Sequence, residues 1–258
     1  MSESASARMS DNAAVPRVTI VVPCFNEEHR LDLNAFRACS DDVHFCFVDD
    51  GSRDNTLLVL QALAATDPVR FRVLHLAKNS GKAEAVRAGM ADALSKAADY
   101  AGFWDADLAT PLSELPRFIE ILEQRSEIQM VIGARVRLLG REISRRPGRH
   151  YFGRAGATLI SSSLGLAVYD TQCGAKLFRS SDLMRDIFAQ PFLSRWIFDV
   201  EIIARLIERT GRDAAARSIY ELPLVVWHDV HGSKVKTRDY ARGLRDLWRI
   251  HRAYNARR

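Results

Sequence analysis

Asp105 and Asp107 close the segment Tyr100-Ala-Gly-Phe-Trp-Asp-Ala-Asp107, two carboxylates separated by one small residue at the end of an apolar run. In an extended chain, that spacing points both side chains the same way. Two hard oxygen donors so placed can hold a divalent cation, and the cation can grip a diphosphate. Chance alone supplies about one or two Asp-x-Asp pairs in a chain of this composition, so the pair acquires meaning only from its context. Three other apolar runs end in polar groups: at Pro23-Cys-Phe-Asn-Glu-Glu28, at Asp49-Asp-Gly-Ser52 and at Gly133-Ala-Arg135. Asn79-Ser-Gly-Lys82 precedes a helical stretch, where backbone N–H groups and Lys82 can face a phosphate. A plain helix-capping turn is an equal reading of that segment, and it lacks the long glycine spacing of a P-loop. Arg135, Arg145 and Arg146 follow the fifth apolar run, and Lys234 lies in a Gly-Ser-Lys turn. Guanidinium groups grip phosphate in bidentate fashion and stay charged.

The elements that must position these groups alternate along the chain. Strands are expected at Arg17–Val22, His44–Val48, Phe71–Leu76, Tyr100–Trp104 and Gln129–Ile132. Helical composition with three-to-four apolar spacing fills Asp54–Ala65, Lys82–Ala98 and Pro111–Gln124. Asp54 is a candidate cap, and Ser113 beside Pro111 and Glu114 a candidate start. This alternation implies an α/β fold, a mostly parallel, twisted, Rossmann-like sheet flanked by helices in a single domain. Such sheets bind ligands beyond the carboxyl ends of their strands, where the polar residues fall. The plain alternative is that polar residues merely end strands. Further on, Arg141–Arg154 reads as a basic loop, Ala155–Leu166 as helix, Asp170–Arg179 as strand, Trp196–Glu208 as helix and Ile219–Trp227 as strand.

The 258 residues suit one large domain over 15–233. Residues 1–14 are small and polar without an apolar core, which reads as a disordered tail rather than a signal peptide. No run of about 18 apolar residues occurs, so a cytoplasmic protein, at most peripheral at a membrane, is expected. Cys24, Cys39, Cys46 and Cys173 show no metal-ligand spacing and read as reduced thiols. The net charge of +5 is uneven: residues 234–258 carry +7 and residues 135–154 carry +6, leaving −8 for the remainder. An acidic body with two basic segments suits anionic partners at particular places. Basic motifs interleaved with aromatics are missing, which argues against nucleic acid.

Seven segments in order resemble the inverting glycosyltransferases of family 2, with the GT-A fold. They are Val21–Glu28, Val48–Thr56, Asn79–Val86, Asp105–Pro111, Asp170–Lys176, Arg195–Glu201 and Trp227–Lys234. The likeness is strongest to the dolichyl- and polyprenyl-phosphate sugar transferases, the β-glucosyltransferase branch above all, with the mannosyltransferase type beside it. The resemblance implies transfer of a hexose from a nucleotide diphosphate sugar to a polyprenyl phosphate, UDP-glucose being favoured as donor and GDP-mannose next. It implies nucleotide contacts by Pro23, Phe25, Asn26, Glu27, Asp50, Lys82, Asp105 and Ala106. Asp105 and Asp107 would hold Mg²⁺ or Mn²⁺, with Asp107 counted among the catalytic groups. Acceptor contacts fall to Arg135, Arg145, Arg146, Gln172 and Lys234, with Asp170 nearby. Mannosyltransferase-type relatives often carry Gln as a further metal ligand where this chain has Ala109, so any remaining ligands come from elsewhere or from water.

A polyprenyl phosphate is largely ionised at neutral pH and needs positioning more than a general base, whereas a sugar hydroxyl needs the base. Asp199 aligns near the catalytic carboxylate of hydroxyl-using relatives and has three readings: a base, an organiser of Arg195, or a helix cap. Gln172 is otherwise a satisfied core amide, and Asp49 with Asp50 an ordinary strand-end turn. Two functions stand as alternatives: transfer to a soluble hydroxyl acceptor, and non-catalytic binding of a nucleotide sugar. Residues 234–258 form a basic amphipathic helix, with Tyr240, Leu244, Leu247, Trp248, His251 and Tyr254 at helical spacing. That pattern suits either an anionic membrane surface or a helix packed on the body.

Overall fold

A computed structural model describes residues 17–96, 98–144, 147–229 and 237–254. The residue 1–14 tail, Arg145, Arg146 and Lys234 lie outside the described residues. Seven strands form the main sheet: β1 (Val18–Cys24), β2 (Val43–Asp49), β3 (Phe71–His75), β4 (Tyr100–Trp104), β5 (Met130–Ala134), β7 (Ala175–Arg179) and β8 (Ile219–Pro223). Their order is β3-β2-β1-β4-β7-β5-β8. All neighbouring pairs run parallel except those of β7, which is antiparallel to both β4 and β5. A small parallel pair, β6 (Glu142–Ser144) with β9 (Val226–His228), stands apart.

Strand side chains alternate between the two faces and so feed two cores. In β2, Phe45 and Phe47 join a cluster with Phe36 of α1 (Leu33–Ala38), Leu60 of α2 (Thr56–Thr66) and Phe118 of α4 (Leu115–Gln124). Cys46 and Val48 face the other way. They pack with α3 (Lys82–Ser95), α6 (Asp182–Ala189) and α7 (Phe198–Thr210). The remaining helices are α5 (Pro147–Leu164), α8 (Arg212–Ser218) and α9 (Thr237–Tyr254).

Several expectations need correction. Arg141–Arg154 is no loop, because β6 and the first turns of α5 occupy it. Pro147 is the first helical residue, where a missing N–H costs nothing. Only Ala175–Arg179 of the Asp170–Arg179 segment is strand. Ile219–Trp227 is broken into β8 and β9, and α3 stops at Ser95. Asn55 rather than Asp54 precedes α2, while Asp54 accepts from the Thr56 N–H and hydroxyl. The four cysteines are free thiols, and all but Cys39 are buried. Among the described residues no helix is long and apolar enough to cross a membrane.

Candidate active site

The carboxyl ends of β1, β2, β4 and β5 open at one edge of the sheet. Because β7 runs against them, its beginning meets that same edge, which brings Asp170–Gly174 to the Asp105 turn. The Asp105 N–H donates to the Gly174 carbonyl at 3.0 Å. Approach here is so close that a Cβ on Gly174 would fall 1.9 Å from Asp105 Oδ2.

Asp105 and Asp107 sit on a turn that Trp104 holds shut, its indole Nε1 donating to the Thr110 carbonyl at 2.6 Å. Each carboxylate has a cation. Lys82 Nζ lies 2.5 Å from Asp105 Oδ1, and Arg30 Nη2 lies 3.2 Å from Asp107 Oδ2. Burial, then the charge of Asp105, pushes the Asp107 carboxyl above its usual range against the pull of the Ala109 N–H, Arg30 and Lys82. Desolvation pulls the Lys82 ammonium down, but Asp105, Asp199 and Asp107 more than offset it and leave it raised. Arg30 also reaches Glu27 at 3.2 Å, and its buried Nε has no hydrogen-bond partner among the described residues. The guanidinium therefore keeps a donor to spare.

Neighbouring loops are pinned to this centre. Asn26 takes a positive φ of 52°, its N–H donating to Ser52 Oγ and its Oδ1 accepting from the Arg53 N–H. The Glu27 N–H donates to Thr56 Oγ1 at 2.8 Å. Pro23 and Phe25 flank this turn half-buried, and Ala106 is buried between the two aspartates. Asp49 accepts from the Ser52 N–H and faces His75 Nδ1 at 2.8 Å, the strand-end turn arrangement. Asp50 accepts from the Ser80 and Gly81 N–H groups at 2.6 and 2.8 Å, and burial raises its carboxyl despite those bonds. The Ser80 and Gly81 amides are thus spent on Asp50, which weighs against the phosphate-facing reading of these two amides, one of the two readings of this segment. Within Asn79–Lys82, it is the Lys82 side chain that reaches the Asp105 carboxylate.

On the other flank, Arg135 grips Asp170 through two 2.7 Å bonds and lies over the Trp227 ring at 5.4 Å. Desolvation opposes its charge, but Asp170 holds the guanidinium above its usual value. Most of this fork is committed to Asp170, so Arg135 offers only a remaining edge to another anion. Asp199, in the first turn of α7, pairs with the fully buried Lys176 at 2.5 Å and faces Gln172 Nε2 at 3.5 Å. It makes no side-chain cap. Arg195 bonds Asn79 instead, so the reading of Asp199 as its organiser is corrected.

Sequence reasoning missed Arg30 and Lys176. Arg30 lies in a turn after Asn-Glu-Glu with nothing in its spacing to mark it. Lys176 sits between apolar neighbours in β7, where alternation alone would have placed it on a sheet face without revealing its partner.

For a metal, no group of three or more His, Cys, Asp or Glu is arranged among the described residues. Mg²⁺ commonly uses one or two carboxylates and completes its shell with water and substrate phosphates. Two crowded carboxylates, one with raised proton affinity, fit that requirement.

The fold is that of GT-A glycosyltransferases. Glucosyl-3-phosphoglycerate synthase of Mycobacterium tuberculosis, crystallised with Mn²⁺, UDP-glucose and phosphoglyceric acid, superposes with a TM-score of 0.65 at 19% identity, covering 93% of this chain and 79% of that one. The chain belongs to glycosyltransferase family 2, whose model (Glycosyl transferase family 2) matches residues 19–185. A dolichyl-phosphate beta-glucosyltransferase of Trichomonas vaginalis is 32% identical over 84% of this chain and 66% of its own length. One of Saccharomyces cerevisiae is 30% identical over 92% of this chain and 75% of its own. The chain thus spans about two thirds to three quarters of these relatives.

Proposed function

We propose that this chain transfers glucose from UDP-glucose to the phosphate of a polyprenyl (dolichyl) phosphate, with inversion at the anomeric carbon. The observation that carries the reading is the Asp105/Asp107 pair at the cleft edge with Lys82 and Arg30 bound to it. The curated relatives, dolichyl-phosphate beta-glucosyltransferases by name, support the choice of donor and acceptor.

Asp105 and Asp107 would hold Mg²⁺ or Mn²⁺, which when bound neutralises charge growing on the departing diphosphate. Lys82, already at the carboxylates, and the spare donor of Arg30 add positive charge at the same place. The Asn26–Glu27 turn and the Asp50 loop form the donor wall, with Pro23, Phe25 and Ala106 beside the nucleotide. An ionised acceptor phosphate oxygen attacks the anomeric carbon, that bond forms as the bond to the diphosphate oxygen breaks, and UDP leaves with the electron pair. No proton has to move, because the acceptor arrives largely ionised. Asp199, held by Lys176 and Gln172, then orders the cleft floor. Arg145, Arg146 and Lys234 complete the acceptor side in this reading, together with Gln172 and the free edge of Arg135.

The acceptor is a lipid, so the enzyme works at a membrane face, on the cytoplasmic side in this proposal. α9 supports this with two separate apolar stripes rather than the single one expected. Ile250 is buried, and Leu247 and Tyr254 pack against the core, while Leu244 and Trp248 stay exposed among Arg242, Arg245, Arg249 and Arg252. Each arginine near an anionic surface contributes about 1 kcal/mol, screened by salt.

The test is product analysis with UDP-glucose, UDP-galactose and GDP-mannose, each supplied with polyprenyl phosphate in vesicles and Mg²⁺. Glucosylated lipid phosphate from UDP-glucose, lost in excess chelator, is expected. Mannosylated product alone, or undiminished transfer in chelator, overturns the donor or the metal assignment respectively.

A further inference from the structure

Between β5 and β6 the chain makes a tight turn, Leu138-Leu139-Gly140-Arg141, closed by the Arg141 N–H donating to the Leu138 carbonyl at 3.2 Å. Gly140 takes φ +77°, the left-handed conformation a turn of this kind asks of its third residue. Leu139 therefore stands at the apex, and it is 104% exposed, with Leu138 at 49%. A Cβ on Gly140 would meet nothing within 4 Å, so the turn stands clear of the body.

Its base, by contrast, is held firmly. The Glu142 N–H donates to the Val225 carbonyl at 2.8 Å, β6 pairs with β9, and Arg135 is locked to Asp170 just before the turn. Arg137 and Arg141 flank the two leucines, in a segment (135–154) of net charge +6. Isolated exposed leucines are ordinary. Two adjacent ones on a projecting, anchored turn between arginines, leaving the acceptor edge of the cleft, are a built feature.

We propose that this turn is a membrane-insertion tip. Leu138 and Leu139 enter the interface of an anionic bilayer while Arg137 and Arg141 meet its headgroups, which seats the acceptor side of the cleft on the surface that holds the lipid phosphate. A convex tip cannot enclose a prenyl chain, and two leucines are too little apolar area for a stable protein partner. The flanking cations select an anionic surface. This inference rests on the lipid-phosphate reading of the acceptor.

The test uses the full chain carrying Leu138→Ser with Leu139→Ser, and separately Leu139→Trp. Binding to vesicles of equimolar phosphatidylcholine and phosphatidylserine is measured without donor. Transfer is measured to polyprenyl phosphate in those vesicles and to a short prenyl phosphate free in solution. The double variant is expected to lose about tenfold in vesicle binding and in vesicle transfer, with transfer to the soluble acceptor unchanged. In the Leu139→Trp variant, brominated lipid is expected to quench indole fluorescence beyond the wild-type signal. Wild-type vesicle binding by the double variant, no added quenching, or equal losses on both acceptors overturns the tip. A wild-type chain that binds vesicles through the tip but glucosylates neither acceptor would instead defeat the proposed function.

Discussion

Lys176 Nζ stands 2.5 Å from Asp199 Oδ1 with both side chains buried, so an ion pair joins β7 to α7 beneath the cleft. The ammonium also donates to the Cys173 carbonyl at 2.6 Å and lies over the Phe103 ring. With its oxygens turned to Lys176 and Gln172, Asp199 is arranged to hold a surface in place. An acceptor that arrives ionised asks for no more than that.

Lys176→Met strands a buried carboxylate, and removing one partner of such a pair costs about 3–5 kcal/mol. Urea unfolding should show that loss. Asp199→Asn, assayed with polyprenyl phosphate at saturating donor, should lower kcat by less than about tenfold. A loss of about 10² to 10⁴ would make Asp199 a general base.

Gly174→Ala should disable the donor site with little harm to the fold. Its Cβ would land 1.9 Å from Asp105 Oδ2, so the carboxylate must swing away from Lys82. Calorimetric titration with UDP and Mn²⁺ should show binding weakened at least about tenfold, the loss of one metal ligand. Wild-type affinity would mean that Asp105 has no part in holding metal or diphosphate.

Arg30 competes with any cation for Asp107 across a partly exposed 3.2 Å contact. Arg30→Met should therefore tighten Mn²⁺ binding to nucleotide-free protein by about two- to fivefold, the scale of a partly exposed ion pair. Paramagnetic resonance of free Mn²⁺ reads this directly. Unchanged or weaker affinity would remove Arg30 from the metal site.

The two stripes of α9 separate fold from surface. Ile250→Ala should cost about 2–5 kcal/mol of stability, as a buried aliphatic side chain does. Leu244→Ser with Trp248→Ser should leave the melting temperature near wild type and weaken vesicle co-sedimentation. Vesicle binding by that variant at wild-type strength would exclude α9 from the membrane contact.

What was legible in the sequence follows from how local each determinant is. Tyr100–Trp104 and its aspartates were plain, because an apolar run and two carboxylates need no distant partner to be recognised. The β-strand read over Asp170–Arg179 was half right. Its first five residues form the turn that meets Asp105, and only the antiparallel insertion of β7 shows why they belong there. Lys176 and Arg30 were invisible for the same reason, since their meaning lies in Asp199 and Asp107, far off in sequence. The start of α5 was hidden by Pro147, Gly148 and Gly153, residues whose weak helix propensity is overridden by tertiary context. α9 looked like one apolar face because spacing alone cannot tell which residues the body covers.

In the proposed reaction the nucleophile is a lipid phosphate already carrying its charge. The direct measurement offers UDP-glucose and Mg²⁺ with either polyprenyl phosphate or the corresponding polyprenol in identical vesicles, and follows the glucosylated lipid. Product from the phosphate alone, cleaved by mild acid to free glucose, is the predicted result. Transfer to polyprenol at a comparable rate, or to neither while a soluble hydroxyl compound is glucosylated, would contradict it.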